Sequence, residues 1–175
     1  VGADLRGKGN KFLHCDIYDN ASDGIFVRGH ELEVGWSNFK NNGLVGGVGD
    51  GIQLVDSSDF CVHDSDIDHL VPSKQAFICT ESLLTGISGG RIVNTRMACV
   101  QYVSGVTLET QKTCLILTPG VKVQRCDIEG GQYGAYMQGE NGVLEDCLLV
   151  VTGAGSVAAA AIRASGVAVR RNTII

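Results

Sequence analysis

One short pattern of apolar and small positions returns seven times along the chain. It is an apolar residue, two residues of any kind, a small residue, one of any kind, then a second apolar residue. It reads Phe12-x-x-Cys15-x-Ile17, Val34-x-x-Ser37-x-Phe39, Val62-x-x-Ser65-x-Ile67 and Ile92-x-x-Thr95-x-Met97, and continues as Val123-x-x-Cys126-x-Ile128, Leu144-x-x-Cys147-x-Leu149 and Val169-x-x-Asn172-x-Ile174. The small positions lie 22, 28, 30, 31, 21 and 25 residues apart. The small residue and the apolar residue after it are two apart, which in a strand puts both on one face. The position between them is polar in Asp16, Asn38, Asp66 and Asp127. This alternation predicts strands, not helices. Each unit is too small to bury its apolar face alone, so the pattern predicts stacked coils of a solenoid.

A second strand follows this motif in several coils: Gly24-Ile25-Phe26-Val27, Gly51-Ile52-Gln53-Leu54, Ala76-Phe77-Ile78-Cys79 and Gly134-Ala135-Tyr136-Met137. Its expected inward columns are Ile25, Ile52, Phe77, Ala135 and Val27, Leu54, Cys79, Met137. Coil four is the least regular, with Val106–Leu108 and Leu115–Leu117 as candidate strands. The run Ala158–Ala161 reads equally as a helix start or as a loop and tight strand, and stays open. The expectation is one all-β domain over residues 1–175, a right-handed parallel β-helix of about six to seven coils. Both ends fall inside the pattern without a polar cap, which suggests a piece of a longer β-helix.

Composition narrows the picture. Gly is abundant at 24 residues and Pro scarce at two, which suits a chain that turns often and keeps its hydrogen-bond ladders intact. A net charge of −5 offers no basic footprint for nucleic acid. No apolar run is long enough to span a membrane. The seven Cys residues form no CxxC pairs, so they do not read as a metal centre. Cys15, Cys126 and Cys147 share one ladder position and Cys79 another, which predicts free thiols and no disulfide.

Segments such as HCDIYDNASDGIFV, GDGIQLVDSSDFCVHDSDID and VQRCDIEGGQYGAYM resemble coils of the pectate-lyase-like β-helix superfamily, and within it bacteriophage tailspike proteins that degrade surface polysaccharide. The resemblance implies a polysaccharide substrate, cleavage by hydrolysis or elimination, a homotrimer and a virion tail. The alternatives are a non-enzymatic structural or adhesive β-helix of a tail or surface fibre, and a secreted lyase or epimerase. The motifs of polygalacturonases and of pectate or alginate lyases are absent. The repeated residues build coils, so they specify fold and not chemistry.

Equivalent outward positions in adjacent coils stand about 4.8 Å apart, so their side chains form columns along a rigid groove. The expected site lies on coils two and three. Asp50 or Glu81 would be the acid and Asp56 or Lys74 the base, because neighbouring carboxylates raise each other's pKa. Asp23, Gln53, His69, Arg96, Tyr133 and Tyr136 would bind substrate, with Asp23, Asp50, Gln75 and Tyr133 as one column. Asp before Gly is also ordinary turn chemistry. Asp56, Asp59, Asp64, Asp66 and Asp68 with His63 and His69 form the densest ionisable set. No cofactor is expected, although outward Asp side chains suit Ca²⁺. Arg91 or Arg96 with Lys74 is a third candidate group. Trp36 reads as a sugar platform or a subunit contact.

Overall fold

A computed structural model describes residues 1–43, 50–55, 58–69, 78–81, 89–99, 113–117, 119–129, 133–150 and 160–175. In chain order the strands are β1 (Ala3–Lys8), β2 (Lys11–Leu13) and β3 (Asp16–Tyr18), then β4 (Ile25–His30), β5 (Glu33–Gly35) and β6 (Asn38–Lys40). They continue as β7 (Ile52–Val55), β8 (Phe60–His63), β9 (Asp66–His69), β10 (Ile78–Glu81), β11 (Gly90–Val93), β12 (Arg96–Cys99), β13 (Thr113–Leu117), β14 (Val121–Gln124) and β15 (Asp127–Glu129). The last are β16 (Tyr133–Glu145), β17 (Leu148–Val150), β18 (Ala160–Arg170) and β19 (Thr173–Ile174).

Every pairing is parallel, and each strand pairs with its counterpart one rung away. The chain is therefore an all-β parallel solenoid. One sheet runs β19-β17-β15-β12-β9-β6-β3. The other runs β1-β4-β7-β10-β13-β16-β14-β11-β8-β5-β2, with β18 beside β16. The long strands β16 and β18 each pass from one face to the next within a single strand, and their mutual register shifts between Gln138 and Gly142.

The sequence motif reappears as register. Phe12, Val34, Val62, Ile92, Val123, Leu144 and Val169 follow one another across β2, β5, β8, β11, β14, β16 and β18. Ile17, Phe39, Ile67, Met97, Ile128, Leu149 and Ile174 do the same in the second sheet. Val34, Val62, Ile92, Val123 and Leu144 are fully buried, as are Ile67, Met97 and Leu149. Burying side chains of this size contributes about 1.5–3 kcal/mol each.

Between these strands the chain turns on one residue in the left-handed region. His14, Trp36, Asp64, Asn94, Arg125, Asp146 and Arg171 all have φ between 46° and 56°. That conformation costs roughly 1–2 kcal/mol for a residue with a Cβ. Ladder hydrogen bonds offset it. The amides of Trp36, Asp64, Asn94 and Arg125 donate to the carbonyls of His63, Val93, Gln124 and Glu145 on the next rung. The small residue after each corner completes the turn. The Ser37 hydroxyl donates to the Gly35 carbonyl at 2.8 Å and accepts from the Cys15 amide at 3.1 Å. Ser65 accepts in turn from the Ser37 amide, and Asn172 from the Cys147 amide.

A second corner is built on asparagine. Asn42 is buried, accepts from Asn20 Nδ2 at 2.8 Å and donates to the Ile17 carbonyl at 3.1 Å. Gly24 lies against it: a Cβ there would stand 2.5 Å from the Gly51 carbonyl oxygen and 2.9 Å from Asn42 Nδ2. Position 24 therefore tolerates only glycine.

One expectation changes, and one open reading closes. The register sets Ile78 opposite Ile52 and Thr80 opposite Leu54, so Cys79 shares the Gln53 column rather than the Leu54 column. The one-residue slip arises because Ala76–Cys79 is apolar throughout and carries no alternation to anchor its phase. The Ala-rich run enters β18, so Ala160 and Ala161 are strand and not helix. Leu115–Leu117 lies in β13, and Val106–Leu108 lies outside the described residues.

Candidate functional site

The expected catalytic group is divided by what the structure describes. Asp50 is buried, with 1% exposure, and Asp23 retains 7%. Asp23 Oδ1 accepts the Asp50 amide at 2.8 Å, and the Gly24 amide donates to the Asp50 carbonyl. The two occupy equivalent places before β7 and β4, as the spacing predicts. They stand inside the coil corner, and Asp23 performs turn chemistry there. Asp56, Lys74 and Gln75 lie outside the described residues. Glu81 ends β10 opposite Val55, and His69 ends β9 opposite Cys99. Gln53 is half-buried on β7 and shares its register column with Tyr136, while Tyr133 pairs with Thr113 and Ala160.

Arg96 belongs to an ion-pair group on the second sheet. Its Nη1 stands 2.9 Å from Asp66 Oδ1 and 3.7 Å from Asp68 Oδ2, and its Nη2 stands 3.6 Å from Glu129 Oε2. Three carboxylates around one guanidinium explain the acidic stretch: Asp66 and Asp68 hold a cation of the next rung.

An open cleft of about 610 Å³ crosses the face of β5, β8, β11 and β14. Strand alternation turns Glu33, then Cys61 and His63, Arg91 and Val93, and Gln124 outward along it. At its centre both ring nitrogens of His63 face carboxylates. Nδ1 is 2.9 Å from Asp64 Oδ2 and Nε2 is 3.4 Å from Glu33 Oε1. Glu33 is also held by Lys11 Nζ at 2.7 Å. Lys11, and behind it His63, keep the Glu33 carboxyl below its usual range despite partial desolvation. His63, then Asn94, do the same for Asp64. Both carboxylates are thus ionised near neutral pH, and the imidazole of His63 lies between them.

Trp36 closes one side. Its ring lies stacked on His14 with centroids 5.2 Å apart, and meets His63 edge-on at 4.7 Å. It keeps 51% of its surface exposed. Sequence reasoning named His63 and Asp64 in one ionisable set and Trp36 apart from it, and did not join them to Glu33 or Lys11. The missing signal is register, since Lys11, Glu33 and Cys61 are consecutive rungs of one outward column.

Beyond the cleft, Glu145 accepts from Gln124 Nε2 and from Arg170 Nε at 2.6 Å, and Arg171 grips Asp146 with two bonds of 2.7 and 2.8 Å. Among the described residues no group of three or more His, Cys, Asp or Glu side chains is arranged to hold a metal ion. Fold and cleft together define a parallel β-solenoid with an open polar groove along one face. Comparison with protein-family models, curated proteins and solved structures finds no match.

Proposed function

We propose that the chain binds an extended polysaccharide across the β5-β8-β11-β14 face and cleaves it by hydrolysis or elimination. The observation that carries this reading is His63 held between two ionised carboxylates in an open cleft beside the half-exposed indole of Trp36. A groove on consecutive rungs presents polar groups at a repeat of about 4.8 Å, a spacing suited to a linear polymer. Its strands are rigid, which favours placement of reacting groups. The finer reading, a homotrimeric phage tailspike depolymerase, is supported by the resemblance of the coil sequences.

The test is digestion of a panel of bacterial capsular and surface polysaccharides, with product masses read by spectrometry. Added water marks hydrolysis and a new double bond marks elimination. His63→Gln abolishes cleavage with the fold intact. If no polysaccharide in the panel is bound or cut, the reading is wrong. A second reading, a structural or adhesive β-helix of a fibre, is favoured by one observation: the Trp36 ring is already stacked on His14, which covers one of its faces.

A further inference from the structure

We infer that His63 is a proton-operated latch on the cleft. With both ring nitrogens protonated it ties Glu33 to Asp64 and seats Trp36, and on losing one proton it releases Glu33. The latch operates whatever the cleft binds, so it stands apart from the polysaccharide reading.

An ionised carboxylate only accepts hydrogen bonds, and a neutral imidazole carries one N–H and one lone pair. Nδ1 of His63 faces Asp64 Oδ2 at 2.9 Å, and Nε2 faces Glu33 Oε1 at 3.4 Å. Only the imidazolium donates to both. A neutral ring must turn its lone pair toward one of the two carboxylates, and that contact becomes repulsive. The two contacts are unequal. Asp64 is the next residue in the chain and makes the shorter one. Glu33 lies one rung away on β5 and has Lys11 Nζ at 2.7 Å as a second partner. The Glu33 contact is therefore the one that yields, and the remaining N–H stays on Asp64.

The surroundings concentrate this effect on one ring. The His63 side chain keeps 15% exposure, so solvent screens it little. Its register partner on β11 is the uncharged Val93. Glu31, Asp59, Arg91 and Arg125 line the same cleft. Glu31 is taken by Lys8, Arg91 donates to Cys61 Sγ, and Arg125 acts on Asp64, which also accepts from Asn94 Nδ2. Among the described residues only Glu33 and Asp64 come within ion-pair distance of His63. Trp36 meets the ring edge-on at 4.7 Å, and its amide donates to the His63 carbonyl at 3.3 Å. A second imidazole, His14, stacks on Trp36 at 5.2 Å and is a separate source of titration. Glu33, Trp36, His63 and Asp64 all line the cleft, so one proton loosens one of its walls. Histidine changes charge between about pH 5 and 8, which makes the wall tight below that interval and loose above it.

The experiment titrates the full chain across this interval without any ligand. It follows the emission of Trp36, the sole tryptophan, and the His63 ring signals by nuclear magnetic resonance. The variants are His63→Gln, His14→Gln and Glu33→Gln, with folding checked by circular dichroism. In the parent, Trp36 emission and the His63 signals should change together with one midpoint. His14→Gln should keep that transition and His63→Gln should lose it. Glu33→Gln should move the midpoint to lower pH, because the imidazolium has lost one of its two carboxylates. Flat Trp36 emission while His63 titrates overturns the latch. So does a transition that survives in His63→Gln or vanishes in His14→Gln, or a Glu33→Gln midpoint equal to that of the parent. Where a variant does not fold, the parent alone decides. A proximity cross-peak between the His63 and Trp36 rings that weakens as pH rises supports the latch, and one constant across the titration overturns it.

Discussion

His63 lies against the bare backbone of Gly35, its register partner on β5, so closely that a methyl group there would collide with the imidazole. The absent side chain of one residue therefore seats the ring of the other between Glu33 and Asp64. Gly35→Ala must push His63 off both carboxylates and off the Trp36 edge. The expected cost is about 1–3 kcal/mol, the usual range for overpacking, seen as a lower urea midpoint. Trp36 is the sole tryptophan, so its fluorescence reports the displacement directly. Gly35→Ala combined with His63→Ala should recover most of the loss. A Gly35→Ala protein as stable as the parent would show that the ring is not held there.

The asparagine corner gives a second prediction. Asn42→Ala removes the acceptor of Asn20 Nδ2 and the donor to the Ile17 carbonyl in a buried place. Leaving such groups unpaired costs about 1–3 kcal/mol. Equilibrium denaturation should show that loss, and an unchanged midpoint would mean that water replaces the amide at no cost.

Acid sensitivity follows from the clamp at the end of the solenoid. Gln124 and then Arg170 hold the Glu145 carboxyl below its ordinary range, and Arg171 does so for Asp146. A lowered carboxylate favours the folded chain wherever it is ionised. This stability is present in full above the unfolded values, near 4, and is lost as pH falls through the lower folded values. Urea midpoints measured from pH 7 to pH 3 should therefore decline steeply below about pH 4. Glu145→Gln should decline less over the same interval. Parallel curves for the two proteins would rule out the clamp as a source of acid lability.

The thiols supply the fourth prediction. Cys15, Cys61, Cys126 and Cys147 are free, and Cys126 and Cys147 are buried on adjacent rungs. A hydrogen bond with Cys147, and then burial, push the Cys126 thiol well above its usual pKa. Cys126 should resist alkylation in the native protein, where half-exposed Cys61 reacts. Unfolding without reductant should release seven thiols, the full cysteine content. A count below seven would reveal a disulfide.

The solenoid was legible in the chain because its signal is local. In Val34-x-x-Ser37-x-Phe39 the alternation, the corner and the small residue lie within six positions, and seven copies reinforce one phase. The inward columns followed wherever polar residues alternate with apolar ones, and slipped at Ala76–Cys79, where they do not. Asp50 shows the same limit in the site. Its sequence context suits a groove carboxylate or a turn carboxylate alike, and only the tertiary structure places it inside the coil corner, 1% exposed, with its amide on Asp23. The meeting of Lys11, Glu33, His63 and Trp36 depends on which residues become rung neighbours. That is decided by loops of unequal length between strands, which leave the repeat period irregular. Periodicity therefore determined which faces point inward, because burial acts on every residue of a strand at once. Tertiary register alone decided which outward side chains touch, because a contact between rungs requires two distant positions to stack.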